Sequence, residues 1–155
     1  MSNVEKPAVL LVDDNEATCT LITAILQRDF RVEIAGDGLE AVEKLRTNHY
    51  AALLLDLLMP VHDGFSVLDF LKANNPEMLR SVLVVTALLT RKEIERANAY
   101  GICGIITKPF DIDTLLGAVK GCAGKGGGTL GNVFCTSTPM ILFIADLLIH
   151  RPPGG

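Results

Sequence analysis

Blocks of apolar and polar positions follow one another along this chain in an order that predicts strands alternating with helices. Ala8, Val9, Leu10, Leu11 and Val12 form an unbroken apolar run that stops at Asp13 and Asp14, the mark of a strand buried on both faces. Asn15 can cap the next segment, where Ala17, Leu21, Ile22, Ala24, Ile25 and Leu26 recur at helical spacing up to Asp29. Arg31 to Ala35 alternates, as a strand nearer a sheet edge does. Gly36-Asp37-Gly38 then turns the chain into a helix with Leu39, Ala41, Val42 and Leu45 on one face.

The apolar stretch from Ala51 to Asp56 predicts a third strand, again with an acid at its tip. A loop through Pro60, Asp63 and Gly64 opens a helix carrying Phe65, Val67, Leu68 and Leu71, which Asn74-Asn75-Pro76 stops. Ser81 to Thr86 reads as the fourth strand. Thr90 can cap a charged helix with Arg91, Lys92, Glu93, Glu95 and Arg96, ending near Tyr100-Gly101. Gly104 to Thr107 is a short fifth strand before Lys108-Pro109-Phe110, and a last helix runs from about Asp111 through Leu115, Leu116 and Val119. Five apolar strands alternating with five helices predict an α/β fold, a doubly wound parallel sheet with helices on both faces. All strand tips of such a sheet share one edge, where ligands and chemistry collect. Asp13, Asp14, Asp56, Thr86 and Lys108 are therefore expected in one neighbourhood.

From Gly117 onward glycine becomes frequent, with Gly121, Gly124, Gly126, Gly127 and Gly128 suggesting a flexible connection. Thr138-Pro139 can start a helix, and Met140 to Ile149 is apolar except at Asp146, too short a run to span a bilayer. The expected division is a domain over residues 1–121, a linker over 122–138 and an apolar tail segment over 139–155. For the tail, docking on the domain, contact with a second chain and an altered reading frame are all open.

Composition narrows the function classes. A chain of 155 residues can bury one real core, and its net charge of −4 without a basic run gives no nucleic-acid surface. The leader Met1 to Pro7 has no apolar signal core, so the reading is a soluble, cytoplasmic protein without a membrane span. Cys19, Cys103, Cys122 and Cys135 are scattered, with no CxxC pair or zinc spacing, and read as reduced, mostly buried thiols.

Three carboxylates gathered at one rim repel each other and destabilise the fold unless a cation offsets them. Magnesium, Mg2+, is the natural candidate, since it takes oxygen ligands and tolerates one or two carboxylates together with phosphate oxygens. Asp56, on the central strand, can then attack phosphorus and become an aspartyl phosphate. Lys108 and the Thr86 hydroxyl are placed to neutralise and hydrogen-bond the transferred oxygens. Two other features carry less. Gly124-Lys125 lacks the spacing of a nucleotide-binding loop, with Val119 at its first glycine and Gly126 at its hydroxyl position. His62 is a lone loop histidine, and His49 and His150 have no visible partners.

Taken together these residues resemble the receiver domain of two-component response regulators. Asp13-Asp14 is similar to the family's acidic pair and Asp56 to its phosphoacceptor. Met59-Pro60 with Asp63-Gly64 resembles the loop that follows, Thr86-Ala87 the hydroxyl step, and Lys108-Pro109-Phe110 the lysine motif. The resemblance covers roughly Lys6 to Gly121. It implies a flavodoxin-like sheet of strand order 2-1-3-4-5, a cis bond at Lys108-Pro109, and Mg2+ held by Asp14, Asp56 and the backbone carbonyl of Leu58, with Asp13 contributing through water. It also implies a sensor histidine kinase or phosphotransfer protein as phosphodonor, and a downstream protein target met by the fourth helix, fifth strand and fifth helix, where Arg91, Lys92, Glu95 and Arg96 offer charge. That face or the tail is where a homodimer would form.

Three departures from the family pattern matter. Ile105 stands where the family has an aromatic switch residue, so signalling is expected to use the loop and helix after Thr86. Leu58 and Leu88 occupy the positions that tune phosphate loss; neither can orient water, which predicts a long-lived aspartyl phosphate. About 34 residues beyond Gly121 are too few for a helix-turn-helix unit, which favours a stand-alone, chemotaxis-type receiver, with a piece of a longer regulator left open. The alternative is a pseudo-receiver, a protein-interaction module that keeps the fold without phosphorylation. A flavodoxin-like cofactor binder fits poorly, because Asp13 and Asp14 occupy the place where it needs phosphate donors. A hydrolase with an aspartate nucleophile needs a second acid where Leu58 stands.

Overall fold

A computed structural model describes residues 5–60, 63–87 and 89–124. Strand β1 (Ala8–Val12) is followed by α1 (Glu16–Leu26), β2 (Arg31–Ala35), α2 (Gly38–Thr47), β3 (Ala52–Leu55) and α3 (Gly64–Asn74). A 3-10 turn (Pro76–Ser81), not foreseen from the sequence, leads into β4 (Val82–Thr86), α4 (Arg91–Ala99), β5 (Gly104–Thr107) and α5 (Ile112–Gly124). Every strand pair is parallel, and the order across the sheet is β2-β1-β3-β4-β5, as the resemblance implied.

Every residue of β1, β3 and β4 is buried, because these three strands lie inside the sheet with helices over both faces. Alternate residues point to opposite sides and divide the core in two. Leu10, Val12, Leu53, Leu55 and Val84 pack with Ala41 of α2 and Phe65, Leu68 and Leu71 of α3. Val9, Leu11, Leu54, Leu83 and Ile106 pack with Ile22 and Leu26 of α1 and Leu115 and Val119 of α5.

All five helices begin on a side-chain cap that satisfies an otherwise unpaired amide, with Asp111 accepting from the Thr114 amide at the start of α5. Asn15 accepts from the Thr18 amide, Asp37 from Glu40 and Asp63 from Ser66. Thr90 and Glu93 form a reciprocal capping box on α4. Helical spacing overstated two faces. Leu21 is 49 % and Leu39 58 % exposed; α1 buries Cys19, Ile22 and Leu26, and α2 buries Ala41, which leaves these leucines off the packed stripe.

The expectation of reduced cysteines fails for two of the four, because Cys103 and Cys122 are joined in a disulfide, with Cα atoms 6.0 Å apart. No spacing rule flags the pair. It arises because α5 runs back against the direction of β5, so the residue just before the strand meets the last turn of the helix. Cys19 is a free, buried thiol. Gly117 and Gly121, part of the glycine-rich stretch by composition, lie inside α5. The tail beyond Gly124, including Cys135 and His150, falls outside the described residues, as do His62 and Leu88. Among the described residues no helix is long and apolar enough to cross a membrane.

Candidate functional site

Strand order reverses at β1 and β3, the place where an open α/β sheet leaves a crevice at its C-terminal edge. Backbone bonds carry the sheet pairing one step past the strand tips and fix the residues there. The Asp13 amide donates to Ala35 O (3.1 Å), that of Asp56 to Val12 O (2.9 Å), and that of Lys108 to Thr86 O (2.7 Å). The Lys108-Pro109 bond is cis, as the resemblance implied.

The five residues named from the sequence converge at this edge. Asp13, Asp56 and Thr86 are buried. Lys108 Nζ donates to Asp13 Oδ2 at 2.7 Å and to Asp56 Oδ2 at 3.2 Å. The other Asp56 oxygen accepts from the Thr86 hydroxyl and from the Leu58 amide, each at 2.9 Å. Asp13 Oδ1 accepts from the Asn15 amide. Asp14 is exposed, and its carboxylate has no hydrogen-bond partner among the described residues. Carboxylate oxygens of Asp13, Asp14 and Asp56 lie within 4.8 Å of one another. One ammonium thus faces three acids, and the excess negative charge sits where Asp14 opens to solvent.

Burial on its own would lower the Lys108 pKa. The hydrogen bond to Asp13 and the charges of Asp56 and Asp13 outweigh that and hold it above the ordinary lysine value of 10.5. Protonation is therefore favoured by folding. The stability Lys108 contributes is full below the unfolded-state pKa and disappears as pH rises through the higher folded one. Urea titrations of wild type and Lys108→Met are expected to keep a constant gap from about pH 7 to pH 9 and to converge above about pH 10.5. A gap that closes before pH 9 would contradict this account of the ammonium.

Two further residues contribute: Cys19, whose place at the site was not legible in the sequence, and Gly64, singled out there only as part of the loop motif. Cys19 donates its thiol to the Asp13 carbonyl at 3.5 Å; burial, then the nearby Asp13 charge, raises its pKa, so it packs beneath the site as an unreactive thiol. Gly64 opens α3 against the loop after β3. A Cβ there would stand 2.5 Å from the Asp56 carbonyl oxygen and 2.9 Å from Leu57 Cα. Glycine is required here by close approach. It lets the loop carrying Leu58 fold tightly behind Asp56.

Beside the site, Ile105 is 2 % exposed and packs among the residues facing α3 and α4. Helix α4 buries only Ala97. It is tethered to α3 by side chains: the Arg96 guanidinium lies 3.9 Å from the centre of the Phe65 ring, and the Tyr100 hydroxyl donates to Asp69. Arg96, expected to offer charge on the partner face, is exposed and also stacks on that ring. Arg91 pairs with Glu95 at 2.9 Å on the same helix.

A buried acid flanked by a hydroxyl, an ammonium and two further acids thus stands at the switch point of a five-stranded parallel α/β sheet. A profile of the response regulator receiver domain matches residues 9–120, and the chain belongs to that family. It is 34 % identical over 112 residues to the transcriptional regulatory protein ZraR of Klebsiella oxytoca, covering 72 % of this chain and 25 % of that protein. It is 30 % identical over 113 residues to the chemotaxis protein CheY of Halobacterium salinarum, covering 72 % and 92 % respectively. The receiver domain of sensor histidine kinase PA1611 from Pseudomonas aeruginosa, solved with a magnesium ion in its active-site cleft, superposes with a TM-score of 0.69 at 29 % identity, covering 77 % of this chain and 99 % of that one. The chain thus spans about a quarter of the ZraR relative and most of the CheY relative.

Proposed function

We propose that Asp56 accepts a phosphoryl group from a sensor histidine kinase or phosphotransfer protein of a cytoplasmic two-component system, and that the modified domain engages a downstream protein through α4, β5 and α5. The observation that carries this reading is the double engagement of Asp56: Thr86 and the Leu58 amide on one oxygen, Lys108 on the other. Such an acid is held for attack and already faces the groups that would receive phosphoryl oxygens.

The donor set suits magnesium. All candidate ligands are oxygens, and Asp14 presents an unengaged carboxylate within reach of Asp56. Asp14, Asp56 and the Leu58 carbonyl would hold the ion with Asp13 beside them; the PA1611 receiver holds a magnesium ion in its own active-site cleft. When bound it supplies the positive charge that lets an anionic phosphoryl group approach this acidic edge. Asp56 attacks the phosphorus of a phosphohistidine; the P–N bond breaks and the departing imidazole takes up a proton. Lys108 and the Thr86 hydroxyl each donate to a transferred oxygen. The domain is an acceptor that assists its own modification, not an enzyme acting on a separate substrate.

Incubation with magnesium and acetyl phosphate is expected to add the mass of one phosphoryl group, lost on hydroxylamine treatment and absent from Asp56→Asn. If wild type gains no mass, the pseudo-receiver alternative takes over. If Asp56→Asn gains it equally, the acceptor is misassigned.

Leu58 is 45 % exposed, and its amide donates to Asp56. Its side chain offers no group to orient water, which supports a slow loss of phosphate. Leu58→Asn, which adds such a group, is expected to speed dephosphorylation severalfold, followed by the decay of the phosphorylated mass. An unchanged decay would remove Leu58 from the account.

A further inference from the structure

The Cys103–Cys122 bond lies away from the acidic edge and has no part in the chemistry above. It ties the residue immediately before β5 to the end of α5. That helix is weak by composition. Gly117, Gly121 and Gly124 fall within its span, and glycine is a poor helix former. At Gly117 nothing lies within 4 Å of where a Cβ would stand, so packing does not demand glycine there. The helix is held by Leu115, Ala118 and Val119, and beyond Val119 the only buried residue among those described is Cys122. Lys120 adds an ion pair to Asp29 at 3.8 Å, but both side chains are partly exposed, where such a pair stabilises little. The final turn of α5 therefore depends on the anchorage of Cys122.

Both cysteines sit in the apolar layer between the sheet and the helices α1 and α5. Two thiols can occupy that layer as small hydrophobes, so the domain can keep its fold in either redox state. What reduction removes is the covalent tie on the last turn. In a reducing compartment such as the cytoplasm proposed above, protein disulfides are generally transient and redox-sensing.

We propose that Cys103 and Cys122 form a redox modification site that exchanges with small thiols and disulfides of the glutathione class and sets whether the end of α5 is clamped or free. In the reducing direction, a thiolate attacks the Cys103 sulfur, the more exposed residue of the pair. The Cys103–Cys122 bond breaks, and Cys122 leaves as a thiolate and takes up a proton. A second small thiol attacks the resulting mixed disulfide, releasing the Cys103 thiol and a small-molecule disulfide. Two electrons pass to the protein. Oxidation by a small disulfide is the reverse.

The test uses the full chain in glutathione buffers of graded poise. Alkylation after denaturation, read by peptide mapping, is expected to leave Cys103 and Cys122 unlabelled at the oxidised end and to label both at the reduced end. Hydrogen exchange over residues 119–124 is expected to accelerate about tenfold on reduction while β1 and β3 stay protected. The double variant Cys103→Ala/Cys122→Ala is expected to exchange at the reduced rate in every buffer. Labelling of Cys103 and Cys122 at all poises, or of neither even in millimolar reduced glutathione, overturns the proposal. So does an exchange rate in α5 that ignores reduction of wild type, a readout that stands even if the double variant does not fold. None of these measurements involves phosphate, so an unphosphorylated Asp56 would leave this result intact.

Discussion

Replacing Lys108 by methionine is expected to destabilise the domain by about 3 kcal/mol in magnesium-free buffer and to slow phosphorylation of Asp56 about a hundredfold. The lysine side chain is 20 % exposed, while those of Asp13 and Asp56 are 2 % and 7 % exposed. Removing the ammonium leaves two nearly buried carboxylates beside a third, with nothing of opposite sign among them in the described residues. An ion pair of this burial contributes modestly when intact, yet breaking it from one side is expensive, because the stranded charge has no water to solvate it. The expected loss is larger than for an exposed lysine pair such as that of Lys120 and Asp29. Millimolar magnesium should restore part of the lost stability in the variant, since a cation at the acidic edge replaces some of the missing charge. Urea midpoints with and without magnesium measure both effects. A variant as stable as wild type without the ion would show that the three acids are not held together against their repulsion by Lys108.

Gly64→Ala is expected to cost about 3 kcal/mol, near the upper end for overpacking, and to lower the rate of phosphorylation. The reason is steric. The added methyl would stand 2.5 Å from the Asp56 carbonyl oxygen, 2.8 Å from Leu57 Cδ2 and 2.9 Å from Leu57 Cα. Two of those three atoms belong to the backbone, which cannot rotate away as a side-chain tip can. Relief requires the loop after β3 to move off the start of α3, and that loop positions the Leu58 amide on Asp56. Thermal unfolding and initial phosphorylation rates check the two consequences separately. A stable Gly64→Ala protein with wild-type kinetics would mean that the loop yields without disturbing the acid. Gly117→Ala is the matched control, since a methyl there meets nothing within 4 Å.

Strands β1, β3 and β4 were legible because a strand buried on both faces has an uninterrupted apolar code, ended by the first polar residue. Asp13, Asp56 and Thr86 stood out for that reason: each is polar at the point where such a run stops. The starts of α1 and α4 were legible because a cap is a local bargain between one side chain and the next turn. The buried faces of α1 and α2 were read less well. Periodicity states which residues share a face, and the neighbouring element decides how much of that face is covered, so Leu21 and Leu39 emerged exposed. The stacking of Arg96 on Phe65 was out of reach for a similar cause, since it joins α3 to α4.

The sequence by itself determined the order of elements and the set of strand-end groups, and it raised the expectation of a cation to offset three gathered acids. These follow from short-range patterns and from charge, which a linear chain displays openly. Only the tertiary structure decided which oxygen of Asp56 meets Thr86 and which meets Lys108, why residue 64 has no side chain, and that Cys103 lies against Cys122. Each of those is a contact between segments far apart in the chain or a clearance of a few tenths of an ångström. Such distances are fixed by how helices settle on a finished sheet, and no local run of residues encodes them.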